Sequence, residues 1–138
     1  MASYVKFQAA IEALLEGGID LGTDAFKVAL VAAANAPDAA ADAVLADLTE
    51  ISYANCSARD LTFTSRAATA GVYVIALDDL VLSASGGNVG PFRYVIIYSD
   101  TSTGDKLLAY WDLGADMTIL DGDSATLVFE DGELLNAA

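Results

Sequence analysis

The stretch GPFRYVIIYSD, from Gly90 to Asp100, is the most hydrophobic run in this acidic chain. Its side chains fall on alternating faces of an extended strand. One face would hold Phe92, Tyr94, Ile96 and Tyr98, and the other Arg93, Val95, Ile97 and Ser99. Both faces are apolar at mid-strand, which is typical of a strand covered on both sides. The stretch therefore predicts a central strand that begins near Pro91, where a missing N–H does little harm.

Arg93 stands near the start of this strand and is one of only six Lys and Arg residues in the chain. A guanidinium there can reach solvent or make paired hydrogen bonds to a carboxylate. The chain offers twenty Asp and Glu residues as partners. We therefore predict a structural ion pair for Arg93, and contact with another protein is the alternative.

Short segments with strand-like patterns recur on both sides of this central strand, separated by Gly, Asp and Asn turn signals. They are 25–31, 61–65, 71–77, 80–84, 107–111, 125–129 and 134–135. This spacing predicts a mainly β protein, a jelly-roll-like antiparallel β-sandwich. At 138 residues the chain is expected to be one domain spanning 1–138.

The first residues predict a short amphipathic helix over about 4–16, because their apolar positions recur at helical spacing. Ser3 is the predicted cap, and Gly17-Gly18 is the predicted end. The apolar face of this helix is expected to pack on the sandwich.

Residues 32–51 form an alanine-rich stretch that we predict to be a long surface excursion. Long loops in compact domains are often functional, although low complexity alone also explains this one. Its larger apolar residues, Pro37, Leu45 and Leu48, are the candidate partner interface. They would be exposed in the free protein and buried on the partner.

The charge of the chain excludes some partners and leaves others open. A net charge of −14 argues against nucleic-acid binding, where positive charge supplies much of the affinity. It suits a highly soluble surface or one that docks on a basic partner. No apolar run approaches the roughly 18 residues of a membrane helix. The single cysteine, Cys56, excludes an intrachain disulfide and reads best as a small buried apolar residue.

Catalytic and metal-binding patterns are missing from the sequence. There is no histidine, so His-dependent nucleophilic catalysis and the commonest metal ligand are excluded. The run Asp121-Gly122-Asp123 lacks the further oxygen ligands of a calcium loop and predicts a tight turn. We therefore expect no enzyme activity, no catalytic residues, no metal and no cofactor.

Four segments, taken in order, resemble a family of small virion proteins of tailed bacteriophages. They are FKVAL (Phe26 to Leu30), LADLTEI (Leu45 to Ile51), GNVGPFRYVIIYSD (Gly87 to Asp100) and YWDLG (Tyr110 to Gly114). The match is collinear and covers most of the chain, which makes it more specific than any one motif.

This resemblance implies a capsid cement or decoration protein. Such a protein binds the outer surface of the major capsid protein lattice, stabilises the head, and is made in the host cytoplasm before it joins the virion. The resemblance also implies a homo-oligomer, with a dimer favoured. The alternative is a tail- or fibre-associated module for a host glycan or receptor, with Tyr110 and Trp111 lining a sugar site. A bacterial surface adhesin domain is disfavoured, because Lys6, Glu12 and Glu16 interrupt any signal-peptide pattern.

Overall fold

The computed structural model describes residues 3–20, 22–70, 72–127 and 132–135. The chain is mainly β, with antiparallel sheets and one short helix, as the sequence predicts. The strands are β1 (Ser3–Lys6), β2 (Phe26–Val31), β3 (Phe63–Thr69), β4 (Val72–Leu77), β5 (Leu80–Ser83), β6 (Val89–Ser99), β7 (Leu107–Ile119), β8 (Ser124–Leu127) and β9 (Gly132–Leu135). The helix α1 spans Gln8–Leu15, and short 3-10 turns span Ala33–Asn35 and Leu45–Asp47.

The main sheet has the strand order β1-β7-β6-β2. The strand β6 is central in it, and its residues from Tyr94 to Ser99 are all buried, as the two apolar faces predict. Two smaller groups have the orders β3-β4-β9 and β5-β8. The arrangement is consistent with a β-sandwich, and the jelly-roll connectivity stays a prediction.

Each face of the main sheet is covered by a different part of the chain. On one face, the rings of Phe7 and Tyr110 lie 5.2 Å apart between centroids, next to helix α1. On the other face, Phe26 of β2 packs on Phe63 of β3 at the same centroid distance. These contacts explain why both faces of β6 are apolar.

The N-terminus differs from the predicted helix over 4–16. Residues Ser3–Lys6 form β1, paired antiparallel with β7 in the register Ser3 to Asp112, and α1 begins only at Gln8. The predicted Ser3 cap is wrong, since the residue before the helix is Phe7 and no side chain caps it. The predicted glycine stop is confirmed, with Gly17 at φ +82°.

The C-terminal elements are partly as predicted. The strand β7 runs to Ile119, well past the predicted end at Trp111. Asp121 to Asp123 form the turn that leads into β8. The predicted strand 125–129 is seen to Leu127, and the remainder of it, with most of the predicted turn at 130–132, lies outside the described residues.

No helix in the described part of the chain is long and apolar enough to cross a membrane.

Candidate interaction surface

The excursion, residues 32–51, lies against the body of the protein. It runs from β2 past the start of α1, where Gln8 N–H donates to the Ala39 carbonyl, and then pairs beside the start of β7. There Leu107 N–H donates to Ala43 O, and Leu45 N–H donates to Asp105 O. It returns to β2, where Ile51 N–H donates to Leu30 O. The excursion therefore serves as an edge segment of the main sheet.

The predicted interface residues of the excursion are not exposed as expected. Pro37 is buried, and Leu45 and Leu48 are half-buried and pack against the hydrophobic core. The expected exposure of Pro37 in the free protein is therefore wrong, and Leu45 and Leu48 are less exposed than expected. Their role as a partner interface stays a prediction.

Carboxylates hold the turns of the excursion. Asp38 Oδ1 accepts hydrogen bonds from the N–H groups of Ala40 and Ala41. Asp47 Oδ2 accepts hydrogen bonds from the N–H groups of Ala43 and Val44, at 2.9 and 3.1 Å. These two donors favour the ionised form and hold the pKa of Asp47 below its ordinary value. Hydrogen bonds to these carboxylates thus hold backbone turns that the alanines themselves do not specify.

Arg59 fixes the far end of the excursion to β2. Its guanidinium carbon lies 3.6 Å from the centre of the Tyr53 ring, and its Nη1 donates to the Val28 carbonyl at 2.7 Å. The Tyr53 hydroxyl donates to Glu50 Oε1 at 2.7 Å and accepts from Leu30 N–H. Burial is the largest cause that raises the pKa of Tyr53 above its ordinary value. We call Tyr53, Glu50 and Arg59 the Arg59 cluster.

Arg93 forms an ion pair with Asp112 of β7, a residue that the sequence did not single out as its partner. Its Nε donates to Asp112 Oδ1 at 2.8 Å, and its Nη2 donates to Oδ2 at 3.2 Å. The same Oδ1 accepts the N–H of Gly114 at 2.8 Å. The two side chains are 33% and 28% exposed, so the pair is at the surface rather than buried. We call Arg93, Asp112 and Gly114 the Arg93 clasp.

The clasp favours the charged forms of both of its side chains. The Arg93 hydrogen bond is the main cause that holds the pKa of Asp112 below its ordinary value, and the Gly114 N–H lowers it further. The same hydrogen bond raises the pKa of Arg93. Gly114 has φ +86°, a left-handed conformation that suits glycine, at the start of the bulge in β7.

Beyond the clasp, residues 113–116 bulge out of the sheet, and we call the segment 113–118 the tongue. The β6 partner of Asp112 is Tyr94, whereas the β6 partner of Met117 is Phe92, so four β7 residues bulge out between the two pairs. Gly114 to Thr118 are exposed. Asp116 Oδ1 accepts a weak hydrogen bond of 3.3 Å from Ala33 N–H. The apolar side chains of Met117 and nearby Leu120 are 38% and 55% exposed.

The aromatic residues proposed for a sugar site do not form an open platform. Tyr110 is half-buried, and its ring contacts those of Phe7 and Tyr94. Trp111 is also half-buried. A groove of about 380 Å³ lies elsewhere, between α1 and Lys106, and is lined by Glu12, Glu16 and small residues.

Candidate metal ligands are also dispersed. Within the described ranges, no three His, Cys, Asp or Glu residues form a group able to hold a metal ion. Asp121, from the calcium-like run, lies in the turn before β8, and its Oδ1 accepts a hydrogen bond from the N–H of Gly86. Cys56 is half-buried, and burial raises the pKa of its thiol.

Sequence reasoning missed the tongue, although a signal was present. The run Tyr110 to Gly114 places an aspartate two residues before a glycine, and in the fold this is the turn of the clasp. Its partner Arg93 is nineteen residues away, across a strand pair whose register the sequence does not give.

Comparison with known proteins adds no relative: no family model, no curated protein and no solved structure matches this chain.

Proposed function

We propose that this chain is a non-enzymatic structural protein of a tailed-phage virion. In this proposal it is a capsid cement or decoration protein that binds the outer surface of the major capsid protein lattice and stabilises the head. The observation that carries it is that two of the four resembling motifs meet in space. Arg93 belongs to one motif and Asp112 to the other, and together they form the clasp. The two motifs are therefore joined in one structural unit of this chain.

The physical demands of cementing agree with the body of the protein. Many copies that bind the assembled lattice, and not free capsid subunits, lower the free energy of the lattice by mass action. Such a protein requires a firm scaffold and an interaction surface. The Arg59 cluster and the carboxylate-held turns provide firmness, and an acidic surface suits a basic partner.

The test is the number of copies in purified virions, measured by quantitative mass spectrometry against a labelled standard. Hundreds of copies per particle are expected for a cement protein. Heads prepared without the protein should break open at a lower temperature, and adding purified protein should restore their resistance. A few to tens of copies, confined to tail fractions, would favour the glycan- or receptor-binding alternative. Absence from virions would refute both.

The oligomeric state is part of this proposal. A homodimer would present two docking surfaces at once, so that each dimer links neighbouring capsid proteins with higher avidity than a monomer. Light scattering coupled to size-exclusion chromatography gives the mass directly. A monomer over the full concentration range would remove the dimer from the proposal and leave surface binding in place.

A further inference from the structure

We propose that the tongue is the docking element, and that it binds an extended segment of the partner that carries Lys or Arg. The segment would add as a strand along the outer edge of β7, the edge on which β1 lies. The chemistry of the segment is inferred from the tongue itself. Its assignment to the major capsid protein rests on the proposed function.

The outer edge of β7 is open beyond Asp112, as far as the described residues show. Along residues 105–112 this edge is occupied by the excursion at Ala43 to Leu45, by Phe7, whose N–H donates to Leu108 O, and by β1. Among the described residues, no backbone hydrogen bond reaches that edge over 113–118. The N–H and C=O groups of an exposed strand edge are a ready template for pairing with another chain.

The tongue lies in an acidic part of the chain. After Lys106 the chain contains no Lys or Arg. It contains seven acidic residues there: Asp112, Asp116, Asp121, Asp123, Glu130, Asp131 and Glu133. Asp112 is neutralised by Arg93, and the charge of Asp116 on the tongue also acts on Arg93, from beyond ion-pair distance. Asp116, Asp121 and Asp123 form no ion pair within the described part of the chain. A segment bearing Lys or Arg is the complementary occupant, and an acidic segment would be repelled.

Apolar side chains are also exposed on the tongue and just after the end of β7. Met117 and Leu120 are two of the four large apolar side chains exposed in the described residues. Main-chain pairing supplies affinity in strand addition, and side-chain contacts of this kind supply specificity. Charge attraction alone would give a weaker and less selective surface.

The Arg93 clasp positions the tongue. Asp112 links the guanidinium on β6 to the Gly114 N–H, so the point at which the tongue leaves the sheet is fixed by two neighbouring strands. A loop held in its bound shape loses less entropy on binding. Arg93 is therefore a positioning residue in this proposal and does not itself contact the partner.

The competing explanation is that the bulge and Asp116 only keep this edge from pairing with other copies. Bulges and charges commonly protect sheet edges in this way. Under that explanation, blocking the edge would leave partner binding unchanged, and removing the charge would promote self-association instead.

The experiment measures binding of purified protein to heads of the encoding phage prepared without it, by co-sedimentation at low and moderate salt. Two variants alter the tongue. Ala115→Pro removes a backbone N–H from the exposed edge, and Asp116→Lys reverses its charge. The matched control is Asp79→Lys, which reverses another exposed acidic residue, between β4 and β5. Circular dichroism melting verifies that each variant is folded. If Ala115→Pro does not fold, Asp116→Lys alone provides the test.

Wild type and Asp79→Lys are expected to bind alike, and the tongue variants about tenfold or more weakly, with binding that declines as salt rises. If wild type binds and both folded tongue variants bind equally well, the tongue inference is overturned and the proposed function stands. If wild type does not bind the heads, the proposed function and the partner assignment both fall. Oligomers formed by Asp116→Lys with unchanged head binding would establish the edge-protection explanation.

Discussion

The excursion and the tongue each differ from what their sequences suggest: the irregular segment is packed on the sheet, and the strand segment is exposed. The excursion is long, irregular and alanine-rich, yet it covers edges of the main sheet, and its Pro37 is buried. The tongue lies inside the longest strand of the fold, yet it bulges out of the sheet at 113–116 and is exposed from Gly114 to Thr118. An arginine secures each of them, Arg59 in one case and Arg93 in the other. An irregular sequence therefore does not identify a surface that is free to bind a partner. Whether a segment is free depends on whether its backbone already pairs with the rest of the fold.

The largest effect is expected from Arg59→Ala, which breaks the attachment of the excursion. The change removes the cation–π contact with Tyr53 and leaves the Val28 carbonyl without this charged donor. We expect a loss of about 2–3 kcal/mol in the free energy of unfolding, measured by urea denaturation. Arg59→Lys is the control that keeps the charge and loses the planar stacking, and it should recover only part of the loss. Wild-type stability for Arg59→Ala would show that the cluster does not hold the excursion.

Smaller losses are expected when the apolar contacts of the excursion are truncated. Leu45 and Leu48 are half-buried against the core, so each Leu→Ala change should cost about 1–2 kcal/mol, below the range for fully buried leucines. The matched comparison is Leu15→Ala on α1, where the side chain is 78% exposed and the change should be near neutral. Equal effects at all three positions would contradict the packing described for the excursion.

Low pH should loosen the excursion through Asp47. Because the folded-state pKa of Asp47 is lowered, its stabilising contribution is complete above the ordinary value of 3.8 and is lost as pH falls through the folded value. Amide exchange at Ala43 and Val44, followed by NMR between neutral pH and pH 3, should accelerate only at the acidic end. Asp47→Asn should show faster exchange at these amides already at neutral pH. Exchange that is independent of pH in wild type, once corrected for intrinsic rates, would remove Asp47 from the account.

How far the sequence leads can be seen by comparing β6 with the segments around it. The two apolar faces of β6 are a local pattern, so its central position and burial could be predicted. The segment Ser3–Lys6 fits both helical and strand spacing, and its choice is made by pairing with β7 more than a hundred residues later. Pro37 and the alanines of the excursion carry no periodic pattern, so neither the burial of Pro37 nor the backbone pairing of Ala43 with β7 was predictable. The Arg93 ion pair was predictable in kind, but Asp112 as its partner depends on the register of β6 and β7.

The smallest effect on stability is expected from Arg93→Ala. The pair is about one-third exposed, and surface ion pairs contribute little to folding, so the melting temperature should fall by about a few degrees at most. The local effect should be larger, because Asp112, which accepts the Gly114 N–H, then loses the hydrogen bonds from Arg93 that hold it to β6. The NMR resonances of 113–116 should shift or broaden, while those of the excursion stay unchanged. A large stability loss would mean that the pair supports the whole sheet and not the tongue alone.

Amide hydrogen–deuterium exchange of the wild-type protein compares the fastened excursion with the exposed tongue in one experiment. Slow exchange is expected at Leu45, Ile51 and Leu107, whose N–H groups are bonded between the excursion and the sheet. Fast exchange is expected at Ala115 and Asp116, for which no backbone partner exists among the described residues. Equal protection in the two regions, or a protected tongue with a rapidly exchanging excursion, would refute this division of roles.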